Sequence, residues 1–72
     1  GPISVIGLVT DAYVKVMDAR GRLVYQAQAL GGKFVWDGLR QDNTRIHPGV
    51  YYIISVGPNG QESIVATMAK KG

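Results

Sequence analysis

Trp36-Asp37-Gly38-Leu39-Arg40-Gln41-Asp42-Asn43-Thr44-Arg45-Ile46-His47-Pro48-Gly49-Val50-Tyr51 is the stretch whose reading decides the fold. It opens at the end of a short alternating run, Lys33 to Trp36, which sets Phe34 and Trp36 on the same side. From Asp37 to His47 only Leu39 and Ile46 are apolar, so this segment reads as a loop, and Pro48-Gly49 closes it. Val50 to Val56 then follows as the most hydrophobic run, apolar on both faces, the pattern of a strand inside a sheet. Trp36 and Tyr51, one on each side of the loop, read as core aromatics of a small sandwich. Tyr52 faces the other way and is the candidate for an exposed aromatic.

The same period-two pattern extends in both directions. Upstream, Ile3 to Val9 reads as an opening strand, and Ala12 to Met17 as a second with Val14 and Val16 on its inner face. Asp18-Ala19-Arg20-Gly21 is a tight turn, because Asp favours its first position and Gly tolerates the positive φ that closes it. Leu23 to Gln28 returns with Val24 inward, and Gly31-Gly32 breaks the chain. Downstream, Gly57-Pro58-Asn59-Gly60 supplies a hairpin turn and Ile64 to Ala69 the last strand. Nowhere do ten residues hold helical spacing with a cap. The chain therefore predicts one all-β domain, a small sandwich or barrel.

Seventy-two residues lie near the lower limit for a single unaided core, but 46% hydrophobic against 18% charged residues suffices to build one. There are no cysteines to staple it. The formal charge of +3 and pI near 9.5 raise the question of a nucleic-acid partner. Lys15, Arg20, Arg22, Lys33, Arg40 and Arg45 are scattered along the chain, and only Lys70 and Lys71 adjoin, so no nucleic-acid partner is expected. No apolar run approaches the roughly 20 residues of a membrane span, so no direct membrane insertion is expected. Gly1-Pro2 reads as a tag remnant, residues 3–72 as the domain itself, and any export signal as lying upstream.

Candidate chemistry is sparse, and no enzymatic activity, cofactor or metal is expected. His47 is the only histidine, and without a second histidine or a cysteine it reads as a solvated loop side chain. Asp11, Asp18, Asp37, Asp42 and Glu62 are the only acids and sit mainly at turns, where Asp caps local N–H groups. Asp37, Gln41, Asp42 and Asn43 offer oxygens for calcium, but their spacing is not that of an EF-hand. Phe34, Trp36, Tyr51 and Tyr52 could form a sugar-binding platform, but Trp36 and Tyr51 fit a core better, which leaves carbohydrate binding through Tyr52 as an alternative function.

Trp36-Asp37-Gly38 stands thirteen residues before Gly49-Val50-Tyr51, and upstream of both runs Val14-Lys15-Val16-Met17-Asp18-Ala19-Arg20-Gly21-Arg22-Leu23-Val24. This order of motifs over residues 12–71 resembles the immunoglobulin-like module of flagellar hook-capping proteins. It also resembles the C-terminal sorting domains of the Bacteroidetes type IX secretion system. The resemblance implies a small immunoglobulin-like β-sandwich of about six to seven antiparallel strands. It also implies a secretion signal that works by being bound. The partners would be an outer-membrane shuttle barrel and a surface sortase. The parent protein would be exported through the periplasm to the outer membrane, cell surface or medium. Gly49, Val50, Tyr51, Lys70 and Lys71 are the expected partner-binding residues. A basic end such as Lys70-Lys71-Gly72 favours the sorting branch over the hook-capping one. Open strand edges also make homodimerisation an expectation. The chain departs from the family pattern at Asn43, where Gly is usual. Leu39-Arg40 stands where a more polar pair is usual, which would leave an apolar side chain exposed. Ala66, Thr67 and Ala69 are smaller than usual for the last strand.

Overall fold

The computed structural model describes residues 2–9 and 11–72, so Gly1 of the expected tag remnant lies outside the described residues. The strands are β1 (Ile3–Val5), β2 (Tyr13–Asp18), β3 (Leu23–Gln28), β4 (Phe34–Trp36), β5 (Gly49–Val56) and β6 (Glu62–Lys70). All pairings are antiparallel. One sheet has two strands, β1-β4, and the other four, in the order β3-β2-β5-β6. The all-β sandwich is thus the fold, with six strands among the described residues.

The core lies between the two sheets. Val14 and Val16 of β2, Val24 of β3, and Tyr51 and Ile53 of β5 meet Phe34 and Trp36 of β4, with Ile46 of the long loop beside them. All are buried, and Val14, Val16, Trp36 and Ile53 are the largest side chains fully enclosed. Each such aliphatic or aromatic side chain contributes about 1.5–3 kcal/mol by leaving water. The Trp36 and Tyr51 rings meet at 6.1 Å and a 58° tilt, which favours edge-to-face contact. As its apolar residues on both faces imply, β5 is interior to its sheet, between β2 and β6.

Three of the turns are built alike. In Asp18–Arg22, Arg40–Thr44 and Gly57–Gln61 the first N–H bonds the fifth carbonyl at 2.9, 2.8 and 2.9 Å. In each, the fourth N–H bonds the first carbonyl at 2.9 Å. The fourth residue is left-handed each time, with φ of 80° at Gly21, 68° at Asn43 and 79° at Gly60. This is a three-residue loop of type I turn plus one left-handed residue, which suits the twist of antiparallel strands. Asn43 occupies the position where glycine is favoured and holds the turn, because a short amide side chain tolerates this conformation.

The bounds of β2, β4 and β5 shift by one residue from the sequence expectation, and larger differences occur elsewhere. The opening strand ends at Val5 rather than Val9, because Gly7 turns the chain at φ 77° and the Leu8 N–H bonds Gly32 O at 3.0 Å. The last strand is longer, from Glu62 to Lys70, and Val65 is an extra residue in it where the register with β5 slips. Leu39 is half-buried rather than exposed: the Trp36 Nε1–H bonds its carbonyl at 2.9 Å, and its side chain lines a cleft beside β6. Tyr52 is half-buried on the outer face, and Tyr13, 50% exposed, is the more open aromatic.

Candidate functional site

The five expected partner-binding residues converge. Gly49 faces Lys70, Val50 faces Ala69 and Tyr51 faces Met68 where β5 begins and β6 ends, with Lys71 next in line. Their roles divide by burial. Tyr51 is enclosed, and its Oη donates to the His47 carbonyl at 2.6 Å, which fixes the entry of the loop into β5. This tyrosine therefore acts by holding the fold rather than by touching a partner. Val50 is 43% exposed on the outer face and Lys71 is exposed. Lys70 is tied down: its Nζ donates to the Ile46 carbonyl at 2.9 Å, clipping the end of β6 to the loop.

Two clefts flank this end of the sandwich. A cleft of about 480 Å³ opens between the last turn of the loop and β6, lined by Asp37, Leu39, Arg45, Ile46, Met68 and Lys71 among others. A smaller one of about 160 Å³ lies on the other side of His47-Pro48-Gly49, with Arg20, Arg22 and Arg40 in its walls. Cations scattered in the sequence are thus gathered in space. Of the eight Lys and Arg residues, Arg20, Arg22, Arg40, Arg45, Lys70 and Lys71 line these two clefts. The turns at Asp18 and Arg40 and the end of β6 bring these residues, scattered in linear order, to one end of the sandwich.

Three of the five acids, Asp18, Asp37 and Asp42, bond the backbone, while Glu62 pairs with the Lys15 ammonium at 3.0 Å. Asp18 Oδ1 accepts the N–H groups of Arg20 and Arg22 at 2.9 Å each, and Oδ2 accepts Arg22 Nε–H at 2.9 Å. The Arg22 backbone hydrogen bond above all, with those of the Arg22 side chain and Arg20 N–H, lowers the Asp18 pKa. Asp42 Oδ1 accepts the Thr44 hydroxyl at 2.6 Å and its N–H at 3.0 Å, and these bonds lower its pKa, the hydroxyl's first. Asp37 Oδ1 accepts the Leu39 N–H at 3.3 Å. Gln41 Oε1 accepts the Gln26 N–H at 2.9 Å. So Asp37, Gln41 and Asp42, three of the four oxygen-bearing side chains considered for calcium, bond the chain itself. Among the described residues no group of three or more His, Asp or Glu could hold a metal. His47 is exposed. Phe34, Trp36 and Tyr51 are buried while Tyr52 lies on the outer face, so the four aromatics form no common sugar platform.

In the sequence Gln41 was legible only as an oxygen-bearing loop residue considered for calcium. Its backbone N–H bonds Val24 O at 3.3 Å while its side chain takes the Gln26 N–H, so it covers the free edge of β3. No residue does this for β6 among the described residues. No family model, no curated protein and no solved structure matches this chain.

Proposed function

We propose that this domain is a sorting signal of the type IX secretion kind, a folded label that directs its parent protein across the outer membrane by being bound. The observation that carries the reading is the convergence of Gly49, Val50, Lys70 and Lys71 at one basic end, beside an uncovered strand edge. An uncovered edge is a template for main-chain pairing, and adjoining clefts supply side-chain selectivity. The motif order of residues 12–71 supplies the family; the tyrosine bond from Tyr51 to the loop is of a kind seen in immunoglobulin-like sandwiches. The partners on this reading are the outer-membrane shuttle barrel and the surface sortase, and the site of action is the cell surface.

The test is to fuse residues 3–72 to a periplasmic reporter in a type IX-competent cell. Appearance of the reporter at the surface or in the medium is the expected result. Retention of the intact fusion in the periplasm overturns the reading.

A second reading is a structural, self-associating immunoglobulin-like module of a surface protein, favoured by the same uncovered edge. A reporter that stays periplasmic while the isolated domain dimerises would favour it.

A further inference from the structure

We infer that the edge read by a partner is the Ala66–Lys70 half of β6, and that it accepts an extended, acidic protein segment as an added strand. The inference rests on the reading above that the domain works by being bound, and it assigns the edge and the chemistry of its occupant.

The four-stranded sheet has two edges, and they are unequal. On β3 the Val24 carbonyl and the Gln26 N–H are already taken by Gln41. On β6 no such cover exists among the described residues. The Val65 bulge interrupts β6, which is one way natural edges are blunted, but it leaves the run from Ala66 to Lys70 regular. That run has no proline and carries small residues at Ala66, Thr67 and Ala69. The small side chains let another backbone approach closely. The one charge within it, Lys70, bonds the Ile46 carbonyl at 2.9 Å instead of guarding the edge.

The other sheet has only two strands, so it leaves the β6 side of the sandwich partly uncovered. Ala66 and Met68 face the core side yet remain half-buried, and the 480 Å³ cleft opens beside them. An added strand would set alternate side chains into this mouth, apolar ones against Met68 and Leu39. Charge selects the occupant. Arg45, Lys70 and Lys71 stand in the cleft against Asp37 alone, and Arg20 and Arg40 lie around the loop with Arg22, which is paired to Asp18. A second copy of this chain would bring the same cations and a net charge of +3 against itself. An acidic segment is complementary in both respects.

The test uses the isotope-labelled 72-residue chain and a nine-residue peptide alternating valine with glutamate and threonine. Saturable amide shifts on Ala66–Lys71 and Arg45–Ile46, with none on β3, are expected. The same peptide with lysine for glutamate is expected to bind at least tenfold more weakly. The double substitution R45E/K71E, at two exposed side chains, is expected to weaken binding at least tenfold while leaving the remaining amide spectrum in place. Absence of saturation at millimolar peptide, shifts centred on β3, equal binding of the lysine peptide, or the same shifts from a heparin oligosaccharide would each overturn the inference. Export of the reporter without peptide binding defeats the edge assignment alone. Peptide binding without export defeats the sorting reading alone.

Discussion

Gln41 stands in for a fifth strand beside Gln26: its side-chain carbonyl accepts the Gln26 N–H at 2.9 Å, while its own N–H bonds Val24 O at 3.3 Å. A residue of the Arg40–Thr44 turn thus reproduces one rung of a sheet ladder at the outer edge of β3. The turn that positions it depends on Asn43 in the left-handed conformation and on Asp42 bonding the Thr44 N–H and hydroxyl. The long loop between β4 and β5 is therefore a device that closes one edge of the sheet. The same loop leaves the other edge open and borders its cleft with Arg45 and Ile46.

Replacing Gln41 by Ala removes the bond to Gln26 and leaves that N–H to water. An exposed bond of this kind is worth about 0.5–1.5 kcal/mol, so a loss at the lower end is expected in urea unfolding. The sharper readout is association, since an uncovered β3 becomes a second pairing edge. Sedimentation should show more self-association in Q41A than in the parent. Equal masses at all concentrations would show that Gln41 does not guard the edge.

Tyr51→Phe keeps the ring against Trp36 and deletes only the hydroxyl that bonds His47 O at 2.6 Å. The stranded carbonyl and the lost bond should cost about 1–2 kcal/mol. In a domain of this size each kcal/mol lowers Tm by about 4–8 °C. Trp36→Ala empties a site that is fully buried and should cost about 3–5 kcal/mol, enough to unfold much of a marginal domain. A Y51F melting point equal to that of the parent would show the tyrosine bond to be dispensable.

The strands and the core were largely legible in the sequence, because period-two alternation and core geometry express the same physics. Val14, Val16, Phe34, Trp36 and Tyr51 could be placed from spacing alone, as could the turns at Gly21 and Gly60, whereas Ile53 could not be told from its neighbours in a run apolar on both faces. Gly7 could not, because a lone glycine in an apolar run carries no sign of whether the chain bends there. The site was legible only in part. Gly49, Val50 and Lys71 lie together at one end of the sandwich, and Lys70 and Tyr51 are held there by backbone carbonyls, a pairing that depends on tertiary proximity. The basic end was invisible for the same reason. Arg20 and Arg45 are distant in sequence, and only the return of β5 beside β2 brings their turns to one end.

Asn43 is a place where side-chain chemistry substitutes for glycine. At φ 68° an alanine meets the usual penalty of the left-handed region, about 1–2 kcal/mol. Asn43→Ala should therefore lower the urea midpoint by about 1 kcal/mol equivalent, whereas Asn43→Gly should be neutral or slightly stabilising. Because Gln41 rides on this turn, N43A should also speed hydrogen exchange at the Gln26 amide. Unchanged protection there, with stability unchanged, would sever the link between turn and edge.

Acid should weaken the fold through Asp18 and Asp42. Both carboxyls are held below their usual pKa, Asp18 chiefly by the Arg22 backbone hydrogen bond and Asp42 chiefly by the Thr44 hydroxyl. In the unfolded chain an aspartate titrates near about 3.9, so on acidification the unfolded state takes up protons first. The stabilisation from these two groups is complete above roughly pH 5. It begins to fall as pH drops through about 4, and it is gone only once the folded carboxyls themselves protonate. Urea midpoints measured from pH 7 down to pH 2 should be level at first and then decline. Asp18→Asn with Asp42→Asn lowers stability at pH 7 but flattens that decline, because asparagine takes up no proton. If the double variant falls with acid as steeply as the parent, the acid sensitivity arises elsewhere and the hairpin carboxylates are not its source.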